Sequence, residues 1–333
     1  LHYFLTWNNS LNNARMTLET DMDFAAYTLS PYIVREEVME LHHTYYRGQK
    51  YSSINGTTLE GYRAGEGWYG HLFDAGWTDD TWAPSTVHKY NNGPQSEVEI
   101  GVIGLSDDLT YLNISFAGTS IDTVIHGFSG ERWEFTVPTN SLDPNNTGFV
   151  FDVLNSPPIN YQYRAAVGFI RIKYPQLPNL SGISETKFIV ADNADFPNQT
   201  KSRINLTGVF INTPIVYDLT GKKRIPVGVS GNNYQFLIPD IGQEKTCYIG
   251  PGTSAFQSSM PMLKGAGRNG SPYFTDLSNL NPNTEFIAIT HKSLFSEAVD
   301  YSNYRDLTGQ TAITIDVDEL YAQFGNGVNM HPL

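Results

Sequence analysis

Cysteine is nearly missing from this chain of 333 residues, which contains only Cys247. One thiol cannot form an internal disulfide, so the class of small disulfide-stapled secreted domains is excluded. The chain has no run of eighteen apolar residues, and residues 1–13 have neither a basic start nor a small-residue cleavage motif. We therefore expect any signal peptide or membrane anchor to lie outside this segment.

Basic residues are scarce relative to acidic ones. The chain has 21 Lys and Arg against 34 Asp and Glu, which gives a net charge of −13 at pH 7. This charge repels the phosphates of nucleic acids and of anionic lipids, so nucleic acid is a poor partner. Only 17% of the residues are charged, while Asn, Gly, Thr, Ser and aromatic residues abound. This balance is typical of exported β proteins.

Sequence signatures of hydrolytic enzymes are also missing. The chain contains no Gly-x-Ser-x-Gly elbow, no phosphate loop and no His-Glu-x-x-His helix. The only thiol, Cys247, alternates with Ile249 in a strand-like run, which is the setting of a small buried hydrophobe rather than of a nucleophile. We expect the segment alone to be inactive.

Short apolar or alternating runs separated by turns indicate strands along most of the chain. They fall at residues 98–103, 111–116, 123–128, 132–137, 149–153, 167–174, 187–190, 204–211, 214–217, 224–229, 234–238 and 245–249. Strands at this spacing, with no helical period between them, predict an antiparallel jelly-roll or β-sandwich.

The last fifty residues have a different pattern. Residues 285–289 read as a strand, Ser293 can cap a helix that Gly309 ends, and residues 311–315 read as a second strand, after which Asp316 opens another helix. A strand, a helix and a parallel strand form one βαβ unit, and such a unit needs a larger α/β layer around it. The fold class predicted for the chain is therefore mainly β, with antiparallel sandwich domains followed by the first βαβ elements of a truncated α/β domain.

These patterns divide the chain into four regions. Residues 1–95 are a β-rich segment with irregular connections, and residues 96–250 are the jelly-roll region. Residues 251–283 are rich in Gly, Ser, Pro and Asn and read as a linker. Residues 284–333 begin the α/β domain.

The tail also carries a family likeness. Its elements are Phe286-Ile287-Ala288-Ile289-Thr290-His291, Ala298, Tyr304-Arg305, Gly309, Val317, Leu320-Tyr321, Phe324 and Gly325-Asn326-Gly327. This pattern resembles the opening of the gingipain-type cysteine peptidase domain, family C25. Stretches upstream of the tail, at residues 3–7, 65–70 and 213–220, look like those that precede this domain in the sortases of the type IX secretion system of Bacteroidetes.

The resemblance implies the front part of an outer-membrane-associated peptidase that removes C-terminal sorting signals from exported cargo. Its implied partners are the downstream catalytic domain, secreted cargo proteins and other type IX secretion components. The catalytic His and Cys of the family follow the Tyr-x-x-Phe turn at a distance that places them beyond Leu333, so neither is assigned in this chain.

Four aromatic residues crowd a Gly-rich stretch, namely Trp68, Tyr69, Trp77 and Trp82. Such rings can be exposed for stacking on a sugar or a peptide, or they can fill the seam between domains, which the sequence favours. His291 follows the first strand of the tail at its carboxyl end, where ligands of open parallel sheets bind. It is equally well explained as a residue that ends a strand.

Oxygen ligands for Ca²⁺ are offered by Asp192, Asn193 and Asp195 in a predicted loop. Loops rich in Asp and Asn also form turns by bonding their own backbone, and that explanation is the simpler one. The neighbours His42 and His43 would point to opposite faces of a strand, which argues against their sharing one ion.

Two alternative hypotheses compete with the peptidase assignment. In the first, the jelly roll is a carbohydrate-binding module of a bacterial surface protein that contacts surface glycan. In the second, the chain is a structural, adhesin-like surface segment that carries no parallel strand pair after Asn283.

Overall fold

The computed structural model describes residues 16–46, 51–52, 57–58, 66–74, 78–82, 84–106, 109–143, 148–154, 164–192, 200–210, 212–239, 242–252, 274–277 and 281–324. In chain order the strands are β1 (Thr17–Leu18), β2 (Ile33–Glu40), β3 (Thr44–Tyr46), β4 (Tyr51–Ser52), β5 (Thr57–Thr58), β6 (Gly67–Tyr69), β7 (Leu72–Asp74), β8 (Thr78–Trp82), β9 (Ser96–Gly104), β10 (Leu109–Phe116), β11 (Thr119–His126), β12 (Gly130–Val137), β13 (Phe149–Val153), β14 (Arg164–Gln176), β15 (Thr186–Val190), β16 (Ser202–Thr207), β17 (Ile215–Asp218), β18 (Lys223–Ile225), β19 (Gly228–Ser230), β20 (Asn233–Ile238), β21 (Lys245–Gly250), β22 (Phe286–Thr290) and β23 (Ala312–Asp316). The helices are α1 (Phe295–Leu307) and α2 (Val317–Phe324), with 3₁₀ turns at Phe24–Ala26, Thr139–Ser141 and Lys292–Leu294. The chain is mainly β with mostly antiparallel pairing, which confirms the predicted fold class.

The chain divides into two compact units, one of which comprises residues 13–258. Within it, a ten-stranded sheet runs in the order β1-β18-β17-β21-β15-β2-β14-β9-β12, and β7 pairs with the end of β14. Two smaller sheets belong to the same unit. Their strand orders are β11-β10-β13-β8 and β16-β20-β19.

The first sandwich buries a core between the β9, β12 and β14 half of the long sheet and the sheet that contains β10 and β13. Strand β9 shows how the sequence builds it, because Val98 and Ile100 enter the core while Glu97 and Glu99 alternate onto the other face. Phe116 and Phe149 stack at the centre of this core with their ring centroids 3.8 Å apart.

The second sandwich buries a separate core between strands β15, β17, β18 and β21 of the long sheet and the sheet of β16 and β20. Phe188 and Phe236 contact each other across this core, with ring centroids 6.1 Å apart. Each half of the long sheet therefore covers its own smaller sheet.

Strand β2 lies where the two halves of the long sheet meet, between β14 and β15. Ile33, at its start, belongs to the second core, and Leu41, just after its end, belongs to the first. Between them Arg35 is buried; it pairs with Glu37 at 2.5 Å, and it donates hydrogen bonds to the Thr186 hydroxyl and to the carbonyl of Lys187. An ion pair between the buried Arg35 and the partly exposed Glu37 thus lies on β2 between the residues of the two cores.

One predicted strand was wrong. Residues 224–229 form parts of two strands, β18 and β19, which belong to different sheets. Pro226 lies between them, and because proline has no N–H to continue a ladder, the chain leaves one sheet there and enters another. Strands predicted at residues 149–153, 234–238 and 245–249 agree with β13, β20 and β21 to within one residue.

The other of the two compact units contains the predicted βαβ arrangement. Strands β22 and β23 pair in parallel, with Phe286 opposite Ala312 and Thr290 opposite Asp316, and α1 connects them. The hydroxyls of Ser302 on α1 and Thr314 on β23 are 2.7 Å apart. This parallel pair of strands after Asn283 contradicts the hypothesis of an adhesin-like segment, which required that no such pair exist.

The ends of these helices follow the predicted residues with one exception. Gly309 has φ +94° just after α1, a conformation that favours glycine, and Asp316 accepts a hydrogen bond from the Asp318 N–H at the start of α2. Ser293 was expected to cap α1. Instead, His291 caps the preceding 3₁₀ turn by accepting from the Ser293 N–H, and α1 begins at Phe295.

Candidate functional site

Strands β3 and β6 form a two-stranded ribbon whose two sides differ. On one side Tyr46 and Tyr69 are half-buried, and a Cβ at position 168 would come within 3.0 Å of the Tyr69 ring, so Gly168 leaves the space in which that ring packs. The Tyr46 hydroxyl donates to the carbonyl of Gly70 at 3.3 Å, and burial raises the pKa of this phenol. This side attaches the ribbon to the first sandwich.

The other side of the ribbon carries Trp68, whose surface is 43% exposed. Tyr45 is directly opposite Trp68 on β3, and their ring centroids are 5.6 Å apart with a tilt of 59°. The Tyr45 hydroxyl donates a hydrogen bond to the carboxylate of Glu66, the residue that precedes β6. An indole, a phenol and a carboxylate therefore lie together on an open side.

Two exposed histidines extend this side at one end of the ribbon. His43 precedes β3 and His71 follows β6, and their rings stack 4.9 Å apart at 16°. His42 and His43 also lie side by side, with centroids 6.4 Å apart, so the expectation that they point to opposite faces was wrong. Both precede β3, where the alternation of a strand does not yet apply. No group of three or more metal-binding side chains occurs in the part of the chain that the structure describes.

The four aromatic residues singled out from the sequence have different positions. Tyr69 packs inward against Gly168 of β14, and Trp68 is exposed. The predicted role of these rings at a seam between domains stays a prediction. Trp82 belongs to strand β8, which pairs with β13, and Trp77 lies outside the described residues. The sequence analysis did not identify Tyr45 or its bond to Glu66, because neither cross-strand register nor a contact between residues 21 apart can be read from spacing.

His291 lies at the carboxyl end of β22, as predicted. Its Nδ1 atom is 2.8 Å from the Ser293 hydroxyl, and its Nε2 atom is 3.9 Å from a carboxylate oxygen of Asp318. Lys292 is also 3.7 Å from that carboxylate. The imidazole is half-exposed and caps a turn, so its local structural role is clear, and a role in ligand binding stays a prediction.

Asp192 is exposed and accepts a hydrogen bond from the N–H of Gly242 at 2.9 Å. This is a bond to a neighbouring loop, in keeping with the turn-forming role of such residues. Asn193 and Asp195, the other candidate Ca²⁺ ligands, lie outside the described residues. Calcium binding by this loop therefore stays a prediction.

The outer face of the long sheet carries a charged groove of about 810 Å³. Glu99 is buried there and pairs with both Arg132 and Arg171. Lys173 donates to Glu244 at 2.8 Å. Burial opposes the charge of Lys173, but this bond and the nearby carboxylates of Glu244, Glu97 and Glu36 together outweigh burial and raise the Lys173 pKa. Five glutamates and three basic residues line the groove, so acidic groups outnumber basic ones despite these pairs.

Cys247 is fully buried in the second core, as the sequence predicts. It points away from solvent between the two sheets, and a thiol in that position cannot reach a substrate. Hydrolysis through Cys247 is therefore excluded on geometry.

Comparisons with known proteins add little to this geometry. No family profile matches the sequence, and no curated protein matches it significantly. Among solved structures, the CBM36-1 domain of a multidomain xylanase from the hindgut metagenome of Trinervitermes trinervoides is similar at 10% identity and a TM-score of 0.20, over 42% of this chain and 95% of that one. An FMN-binding β-glucuronidase from Facaelibacterium prausnitzii L2-6 is similar at 10% identity and a TM-score of 0.21, over 67% of this chain and 34% of that one.

Hydrophobic helices long enough to cross a bilayer do not occur among the described residues.

Proposed function

We propose that this chain is the non-catalytic front part of a secreted, PorU-like cysteine peptidase of the gingipain type, which processes the C-terminal sorting signals of type IX secretion cargo. In this proposal the sandwiches support the downstream catalytic domain and hold cargo near it. The whole protein is exported and acts at the cell surface or outer membrane. Its other partners are further components of the secretion system.

The observation that carries this proposal is the parallel pairing of β22 with β23 across α1. The family likeness predicts a strand ending in Thr-His, then a helix, then a strand leading to a Tyr-x-x-Phe segment. In this chain Thr290 ends β22, and Tyr321 and Phe324 lie on α2, directly after β23. The order of the two strands and the helix between them agrees with the likeness, whereas Tyr321 and Phe324 lie on a helix where the likeness implies a turn.

The exposure of β22 gives the proposal further support. Ile287 and Ile289 are 49% and 59% exposed. Phe286, on the same strand, instead contacts Tyr301 of α1, with 5.7 Å between the ring centroids. Parallel sheets are normally covered on both faces. An apolar strand face without cover is expected of an α/β layer to which further elements are added.

The test compares this chain with the product of its whole gene in a fluorogenic peptide assay. We expect the chain alone to be inert, and the whole protein to cleave peptides that carry a sorting signal and to be inhibited by thiol alkylation. The variant Cys247→Ala, made in the whole protein, should keep full activity because that thiol is buried. A whole gene without a downstream His and Cys, or loss of activity in a folded Cys247→Ala protein, would contradict the proposal.

Carbohydrate recognition is a second candidate function, and one specific observation favours it. Trp68 is exposed beside Tyr45 and Glu66 on the open side of the β3–β6 ribbon. Binding of surface glycan by such a module is compatible with the peptidase proposal. Titration of this chain against a glycan panel tests it, and no binding at millimolar concentration would remove it.

A further inference from the structure

The open side of the β3–β6 ribbon has the chemistry of a sugar-binding platform. Pyranose rings carry C–H bonds on their faces and hydroxyls around their rims, so they pack on flat aromatic rings and bond to carboxylates beside them. Trp68 supplies the flat ring and Glu66 the carboxylate. We propose that Trp68, Tyr45 and Glu66 bind a neutral oligosaccharide. This inference rests on the second candidate function and is independent of the peptidase assignment.

The platform is held in place before any ligand arrives. Tyr45 and Trp68 form a directly opposed cross-strand pair, which is the contact that stabilises two-stranded ribbons. The opposite side of the same ribbon is anchored by Tyr46 and Tyr69. A ring that is fixed in the free protein loses little conformational entropy on binding, which favours affinity.

The carboxylate of Glu66 is oriented as well. One of its oxygens accepts the hydrogen bond from the Tyr45 hydroxyl, and a carboxylate has further acceptor positions on both oxygens. Those positions can accept hydrogen bonds from sugar hydroxyls next to the indole. Tyr45 thus acts as a positioning residue for both partners, through its ring for Trp68 and through its hydroxyl for Glu66.

The length of the platform favours a chain of sugars over a single one. His43 and His71 continue the open side beyond Tyr45 and Trp68, and both imidazoles are exposed. Imidazole nitrogens both donate and accept, so they suit hydroxyls further along an oligosaccharide.

Charge selects a neutral ligand. The platform contains the carboxylate of Glu66, and the whole chain has a net charge of −13. Uronic-acid, sulfated and phosphorylated glycans would be repelled by both. The exposed flat ring of Trp68 suits the face of a sugar ring better than the anchored side chains of a peptide ligand.

The experiment titrates the chain with neutral hexasaccharides of β-glucan, xylan and mannan type, followed by calorimetry and tryptophan fluorescence. We expect binding of at least one of them, a loss of at least about tenfold in affinity for Trp68→Ala, and about threefold for Glu66→Gln, which leaves the ring pair in place. Tyr111→Ala is the matched control, since Tyr111 is 48% exposed on β10; it should bind as the parent chain does.

Circular dichroism and thermal unfolding establish that each variant is folded. Binding that survives unchanged in folded Trp68→Ala and Glu66→Gln variants would overturn this site while leaving glycan recognition in place. No binding of any hexasaccharide would overturn both. Binding of extended peptides, in place of sugars, that depends on Trp68 would overturn the ligand class.

Discussion

The sandwiches and the βαβ unit bury their apolar strands to very different degrees. In the sandwiches, inward residues such as Ile100 and Phe149 are fully buried between two sheets. In the βαβ unit, Ile287 and Ile289 on β22 are about half exposed, although their strand is at least as apolar. Burial of apolar surface is the main stabilising term of a fold. The strands of the sandwiches therefore gain more stability from buried apolar surface than strand β22 of the βαβ unit does.

This difference bears on function as well as on stability. The sandwich unit contains two apolar cores, and an ion pair lies between their residues on β2. The βαβ unit has an uncovered strand face. In the peptidase proposal, the sandwiches are the support and the βαβ unit is the start of the layer that carries out the chemistry.

The largest expected effect is the loss of a ring from the first core. Phe149→Ala should destabilise the sandwich unit by about 3–5 kcal/mol, because Phe149 is fully buried and stacks on Phe116. Urea unfolding followed by near-ultraviolet circular dichroism measures it. A loss below about 1 kcal/mol would mean that this core is not closed as described.

The next largest loss of stability is expected when the ion pair on β2, between the two cores, is broken. Arg35→Ala should cost about 3 kcal/mol, because it leaves Glu37 without its partner and removes the bonds to Thr186 and Lys187. The double variant Arg35→Met with Glu37→Leu should be much closer to the parent chain, since no uncompensated charge remains. Equal losses in both variants would contradict a role for the charge itself.

Acid should weaken the sandwich unit through a cluster near β1. Burial disfavours the charge of Glu19, but bonds from Lys223, the Asp21 N–H and Lys201 outweigh burial and lower the pKa of Glu19 to about 2. The bond from Lys201 chiefly lowers the pKa of Asp21, also to about 2. Because both pKa values are below those of an unfolded chain, the stabilisation is full above about pH 4.5 and is lost as the pH falls towards 2.

Lys201→Met is the variant that tests this cluster. It should lower stability at pH 6 and flatten the dependence on pH between 5 and 2, since the carboxylates lose a shared cation. Urea midpoints at several pH values measure both effects. A variant that keeps the full acid dependence would show that the two carboxylates do not depend on Lys201.

The smallest effect is expected in the βαβ unit. Ile289→Thr should change stability by less than about 0.5 kcal/mol, because its side chain is mostly in water and threonine keeps the branched shape of a strand residue. Ile315→Thr on β23, where the side chain is buried, is the matched control and should cost more. A large loss for Ile289→Thr would show that its face of β22 is covered in solution.

Much of the fold follows from the sequence because alternation is a local signal. Strands such as β13, β20 and β21, the parallel pair after Asn283 and the burial of Cys247 were all predicted in this way. The pairing of β2 between β14 and β15 joins residues more than a hundred positions apart, and no local pattern encodes it. The division of one long sheet between two cores depends on that pairing.

The candidate site was predicted only in part, for a related reason. Trp68 was found because aromatic residues crowd a Gly-rich stretch, but its partners depend on the register of β3 with β6. Glu66 acquires its role from the Tyr45 hydroxyl, 21 positions earlier. The charged groove arises from side chains on separate strands that only the assembled sheet brings together.

Hydrogen exchange measured by mass spectrometry on this chain tests the central comparison most directly. We predict that the amides of β22 and β23 exchange at least about a hundredfold faster than those of β9 and β14. An uncovered two-stranded layer opens far more readily than a closed sandwich. Protection of β22 and β23 equal to that of the sandwich strands in this chain alone would contradict the account.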